Sequence, residues 1–107
     1  MAFTDLNTLD SHEIIKGFKG RFMHSDNMTA SFWQVDKGAI LPEHAHPEEQ
    51  ISIVTQGELA LTVNGKTKIM TPGKVAVIPS NVVHSGKALT YCEVTDIFSP
   101  LREDYKI

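Results

Sequence analysis

The sequence predicts an all-β chain, one domain folded as a sandwich or barrel of short strands. Three observations lead there. Gly and Pro punctuate the chain at Gly17, Gly20, Gly38, Pro42, Pro47, Gly57, Gly65, Pro72, Gly73, Pro79, Gly86 and Pro100. Between them lie runs of four to ten residues rich in Val, Ile, Thr and aromatics, a spacing that suits strands and not helices. Asn64-Gly65 is the strongest two-residue hairpin signal, because both positions tolerate positive φ.

Taken in order, Thr4–His12 offers at most a short helical turn. Strands are expected at Arg21–His24, Met28–Val35, Gln50–Thr55, Glu58–Val63, Lys66–Met70, Lys74–Ile78, Val82–Ser85 and Thr90–Phe98. Glu58–Val63 alternates, with Leu59, Leu61 and Val63 on one side, and Asn64-Gly65 turns it into the next strand. Pro72-Gly73 and Pro79-Ser80-Asn81 mark later turns. In the last strand Val94, Asp96 and Phe98 share one face, and Glu93, Thr95 and Ile97 the other.

A chain of 107 residues fits one domain, 1–107. With 41% apolar and 21% charged residues it has globular composition, which excludes a disordered tail or a fibre. A net charge of −3 argues against nucleic acid or an anionic membrane as partner, since both favour a basic patch. No apolar run approaches the ~20 residues that cross a bilayer. The N-terminal stretch shows no basic region followed by an apolar one, so a cytoplasmic location is expected. Cys92 is the single cysteine, and no internal disulfide can form.

Three of the five histidines stand where chemistry is expected. His44-Ala45-His46 would point both imidazoles the same way on a strand. Gln50 follows four residues later, and His84 lies beyond the Pro79 turn. Three imidazole nitrogens and one side-chain oxygen suit a divalent transition metal such as Zn, Ni, Fe or Mn. Glu48 and Glu49 compete with Gln50 for the oxygen position. Glu49 has the opposite parity on the strand, and Pro47 interrupts the strand next to Glu48, so Gln50 is preferred.

The spacing Gly38-x5-His44-x-His46-x3-Gln50-x6-Gly57 resembles the first motif of the cupin superfamily, and Gly73-x5-Pro79-x4-His84 resembles the second. The resemblance implies a cupin-type jelly-roll β-barrel with a metal inside one mouth. The metal-site core would span 38–88, with residues 1–20 packing on the barrel or on a dimer partner. Gln50 replaces the Glu of most cupins, and Asn81 and Ala88 replace the usual Gly and Asn of the second motif. A neutral amide leaves the ion its full charge, which favours Lewis acidity over redox chemistry.

The ending Asp96-x-Phe98-x-Pro100-Leu-Arg102-Glu-Asp104, together with a Gln ligand, resembles the pectin-degradation cupins. That family converts 4,5-unsaturated uronate monosaccharides into linear keto sugars, without a redox cofactor. The resemblance implies that His44, His46, Gln50 and His84 hold the metal and that Asp96, Phe98 and Arg102 line the substrate site. Asp96 would move a proton, Arg102 would grip the substrate carboxylate with its planar fork, and Phe98 would present an apolar wall. By composition alone, Asp96 reads more readily as a solvated edge residue and Arg102 as a surface charge. Two further readings stand beside the enzyme: an Fe(II)-dependent small cupin dioxygenase, and a sugar- or ligand-binding cupin without turnover.

His12 and His24 fall outside both motifs and are expected at the surface or a strand edge. Cys92 reads as a small buried hydrophobe, and Trp33 and Tyr91 as packing residues. If Gln50 points inward, Ile51 and Ile53 point outward and need a cover, so a homodimer is expected.

Overall fold

The computed structural model describes residues 2–107. Ten strands follow in order: β1 (His12–Ile15), β2 (Phe18–His24), β3 (Thr29–Val35), β4 (Ile40–His44), β5 (Glu49–Gln56), β6 (Leu59–Val63), β7 (Lys66–Met70), β8 (Val75–Ile78), β9 (His84–Ala88) and β10 (Cys92–Ser99). Six of them form one sheet in the order β1-β2-β3-β10-β5-β8, and four form the other in the order β4-β9-β6-β7. Every pairing is antiparallel. This is the jelly-roll arrangement, two sheets facing each other across one interior.

Alternation decides what the interior holds. Along β10, Cys92, Val94, Asp96 and Phe98 are buried while the residues between them are half-buried. On β5 the same period buries Gln50, Ser52 and Val54, and leaves Ile51 exposed. One end of the interior is apolar, closed by Phe18, Trp33, Val35, Val54, Leu59 and Leu61. The other end collects the buried polar side chains, among them His46, Gln50, Ser52, His84, Asp96 and Arg102. Such a split gives an apolar floor beneath a polar mouth.

Several elements depart from sequence expectation. Strands β1 and β4 were not expected; β1 is four residues long, and β4 carries Pro42 in its middle. The helical turn foreseen in Thr4–His12 is a single 3-10 turn, Leu6–Thr8, whose Asp5 side chain accepts from the Asn7 amide. Gly20 is not a turn but lies inside β2, where a Cβ would come within 2.9 Å of the Trp33 ring. The glycine there makes room for an indole. Strand β9 starts later than expected because the turn after Pro79 runs on, with Asn81 at φ 63 and Val82 N–H donating to the Pro79 carbonyl. Gly57 is required at its position: φ is 84, and a Cβ would collide with the Tyr91 carbonyl oxygen. Among the described residues no helix is long and apolar enough to cross a membrane.

Candidate metal centre and cavity

A cavity of about 330 Å³ opens between the sheets, at the low end of the size of small-molecule sites. Its inner wall is apolar, with Trp33, Leu59, Leu61 and Val94, and its mouth carries His44, His46 and His84. His44 ends β4 and His84 opens β9, and the two are directly paired across the strands. Their ring centroids are 4.1 Å apart.

His46 arrives by a different route from the one its spacing suggested. Strand β4 stops at His44, and Ala45 and His46 lie in irregular chain ahead of a bend at Pro47 and Glu48, so strand parity does not align the two imidazoles. This irregular segment is pinned by the Asn81 backbone N–H, which donates to the His46 carbonyl at 2.8 Å. This brings the His46 ring to 4.9 Å from that of His84. The three side chains offer nitrogens that all lie within 4.8 Å of one another, close enough to hold one ion.

Backbone carbonyls fix how these rings face. Nδ1–H of His44 donates to the Pro42 carbonyl, that of His46 to the Glu48 carbonyl and that of His84 to the Val82 carbonyl, at 2.8, 2.9 and 2.9 Å. A carbonyl only accepts, so each proton sits on Nδ1 and each Nε2 presents a lone pair to the cavity. The Nε2 of His84 is buried with no hydrogen-bond partner among the described residues. The Nε2 of His46 lies 3.1 Å from Oε1 of Gln50, which is also an acceptor. Lone pairs converging without a proton between them are the donor set a cation satisfies, so the residues present fit a divalent metal. Burial lowers the pKa of His84 to about 4. Burial, helped by the charge of Arg102, also holds His46 below its ordinary value. Both rings are therefore neutral, as a metal ligand must be.

Behind Gln50 a hydrogen-bonded chain leads to Asp96. Gln50 Nε2 donates to Ser52 Oγ at 2.9 Å, and Ser52 Oγ donates to Asp96 Oδ1 at 2.5 Å. Ser52, Asp96 and Ser31 sit side by side on β5, β10 and β3. Burial raises the pKa of Asp96 to about 6, against the hydrogen bond from Ser52 and the nearby N–H groups of Gln50 and Trp33, which pull it down. Asp96 is thus a cavity-lining carboxyl, not a solvated edge residue.

Phe98 is fully buried and meets the His46 ring edge-on at 5.6 Å. Arg102 follows β10 and is buried as well, with its guanidinium 4.8 Å from the Phe98 ring and 4.2 Å from the Tyr105 ring. Its fork is engaged by Asp104, and that hydrogen bond holds the Asp104 carboxyl below the usual range. Glu48 faces Arg102 at 3.6 Å. The residues named from sequence, His44, His46, Gln50, His84, Asp96, Phe98 and Arg102, all line this one cavity.

Four contributors were not foreseen: Ser52, Glu48 in its contact with Arg102, Asp104 and Tyr105. Ser52 had a signal, its inward parity two residues after Gln50. Tyr105 had none, since it reaches the cavity only through the 3-10 turn Glu103–Tyr105. His12 and His24 lie outside the cavity; His24 is half-buried between Thr29 Oγ1 and the Tyr105 carbonyl. Cys92 is buried, as expected.

Residues 31–98 match the Cupin_2 family, described as the cupin domain. An RmlC-like cupin from Shewanella frigidimarina NCIMB 400 superposes with a TM-score of 0.93 at 31% identity, over 98% of this chain and 96% of that one. The structure of KdgF from Halomonas sp. superposes with a TM-score of 0.91 at 28% identity, over 97% of each chain. An uncharacterized protein of Streptomyces coelicolor is 26% identical over 81 residues, covering 75% of this chain and 77% of the relative. A salicylate 1,2-dioxygenase from Pseudaminobacter salicylatoxidans shares the fold alone, with a TM-score of 0.77 at 18% identity over 80% of this chain and 27% of its own.

Proposed function

The chain belongs to the cupin domain family, and from that premise we propose that it is a metal-dependent, non-redox enzyme that linearises 4,5-unsaturated uronates. The observation that carries the reading is the placement of Asp96. A buried carboxyl, rare without a purpose, stands in the same cavity as three imidazoles, and hydrogen bonds through Ser52 tie it to Gln50, whose Oε1 faces His46. The tail pattern Asp96-x-Phe98-x-Pro100-Leu-Arg102 and the full-length likeness to KdgF, a pectin-degradation cupin, support the substrate class.

A divalent metal held by His44, His46, Gln50 and His84 would polarise sugar oxygens as a Lewis acid. The residues of the chain do the rest. Asp96, ionised near neutral pH, accepts the proton of the anomeric hydroxyl as the bond from the anomeric carbon to the ring oxygen breaks. The aldehyde forms at C1, and the ring oxygen leaves as the enolate at C5. Asp96 then returns its proton to C4, which gives the C5 ketone and regenerates the carboxylate. No atom or electron is gained or lost. Phe98 excludes water from one side of the ring, and the guanidinium of Arg102 binds the uronate carboxylate in the place Asp104 now takes.

We also propose that the active form is a homodimer. Ile51, Ile53, Val75, Val77 and Ile97 adjoin one another on the outer face of β5, β8 and β10. Val75 is 56% and Val77 59% exposed, on a strand at the sheet's edge. A face without charge among these five residues is best covered by a second copy of itself.

The test is anaerobic incubation of the metal-loaded protein with an unsaturated uronate. Loss of the ultraviolet absorbance of the conjugated double bond is the expected result. Activity that appears only with oxygen would favour a dioxygenase, and tight binding without product would favour a binding module.

A further inference from the structure

The hydrogen-bonded chain from Gln50 to Asp96 raises a question about the amide. A glutamine side chain offers a metal one useful atom, Oε1; rotated by half a turn it offers Nε2, which carries two protons and binds no cation. Something has to choose between them.

We infer that Ser52 makes this choice: it is a positioning residue that turns Oε1 of Gln50, and not Nε2, toward the imidazole cluster. Ser52 is buried and has one proton to give. Asp96 Oδ1 stands 2.5 Å from its oxygen, and a carboxylate only accepts, so the proton is committed there. The lone pairs that remain on Ser52 Oγ accept from Gln50 Nε2 at 2.9 Å. With Nε2 occupied, Oε1 is left facing His46 Nε2. The opposite rotamer would set Oε1 against a hydroxyl with no proton to offer and aim an N–H pair at the metal position. Both ends of the amide would lose.

The same geometry explains why position 50 and position 52 act as a unit. A carboxylate has two equivalent oxygens and needs no orienting partner. Glutamine does need one, and the in-register strands β5 and β10 supply it by setting Ser52 opposite Asp96. The inference rests on the metal reading of the site and not on the identity of the substrate.

The test is a two-by-two comparison of Zn(II) dissociation constants, measured by competition with a chromophoric chelator. In the native background, Ser52→Ala should weaken Zn(II) binding by about tenfold or more, the usual loss when a ligand's orienting partner is removed. In a Gln50→Glu background the same Ser52→Ala change should cost less than about threefold, because no amide remains to orient. Unchanged affinity in the native background, or an equal loss in both, would overturn the inference. A second measurement needs no Ser52 variant. In 15N-labelled, zinc-loaded protein the Gln50 side-chain amide protons, identified by their absence in Gln50→Glu, should be protected from exchange with water. Rapid exchange would overturn it. Failure of the unaltered protein to bind Zn(II) would instead remove the metal reading beneath it.

Discussion

Arg102 and Asp104 form a closed two-bond clamp: Nε donates to Oδ1 at 2.9 Å and Nη2 to Oδ2 at 2.7 Å. The chain's own carboxylate thus fills the fork that the proposed mechanism gives to the uronate carboxylate. A substrate has to displace Asp104, which is largely exposed, from a guanidinium that stays packed between Phe98 and Tyr105. Asp104→Ala should therefore lower KM for an unsaturated uronate several-fold with little change in kcat. Steady-state kinetics would show it, and an unchanged or higher KM would count against the exchange. Arg102→Lys keeps the charge but loses the planar fork and the stacking, and should raise KM on the order of tenfold.

Asp96→Asn keeps the shape of the side chain and removes its capacity to accept a proton. Turnover should fall by roughly 10²–10⁴, the usual share of a general acid/base, while bound zinc stays at the level of the unaltered protein. Undiminished turnover in the Asn variant would end the proton role of Asp96.

The acid limb of the rate profile follows from the same residue. Asp96 must be ionised to accept the proton, and burial sets its pKa at about 6. With activity measured as kcat/KM, the rate should be level above that value and fall tenfold for each further pH unit below it. A profile with no limb near pH 6 would contradict the assignment.

Stability of the metal-free protein should move in the opposite sense. The carboxyl titrates at 3.8 when unfolded and at about 6 when folded. Between those values the native state holds the extra proton, so stability declines as pH rises, and the loss is complete above about 6. A difference of this size corresponds to about 2–3 kcal/mol. Metal-free Asp96→Asn should therefore melt several degrees above the unaltered protein at pH 7.5, with the gap closing toward pH 4. Equal melting temperatures at pH 7.5 would show that burial exacts no such cost.

For the outer face of β5 and β8, Val77→Lys places a charge amid Ile51, Ile53 and Val75. The unaltered protein should scatter light as twice the 11.9 kDa chain, and the variant as one chain. An unaltered protein that is monomeric at micromolar concentration would remove the dimer.

Much of this fold could be read from residues whose local chemistry agrees with their place. Leu59, Leu61 and Val63 alternate before Asn64-Gly65, and the hairpin β6–β7 stands where that pattern puts it. Strand β4 was hidden because Pro42 interrupts it and most of its residues are exposed, so neither composition nor alternation marks it. Gly20 misled for a different reason: its role is to admit the Trp33 ring, a contact made across strands that no local window contains. At the site, the residues that converge were legible from spacing, but the means of convergence was not. His44 closes β4 and His46 lies in the irregular chain just beyond it, where the distant Asn81 backbone N–H holds the His46 carbonyl. Ser52 and Asp104 were missed because a lone serine or a tail aspartate has no chemical signature until its partner is known.

The most direct check is metal content, measured by plasma emission on protein reconstituted with Zn(II) and then dialysed. The expected result is about one ion per chain for the unaltered protein, and close to none for His84→Ala, whose buried Nε2 has no other partner among the described residues. Equal zinc in the two proteins, or none in either, would contradict a centre built on His44, His46, Gln50 and His84.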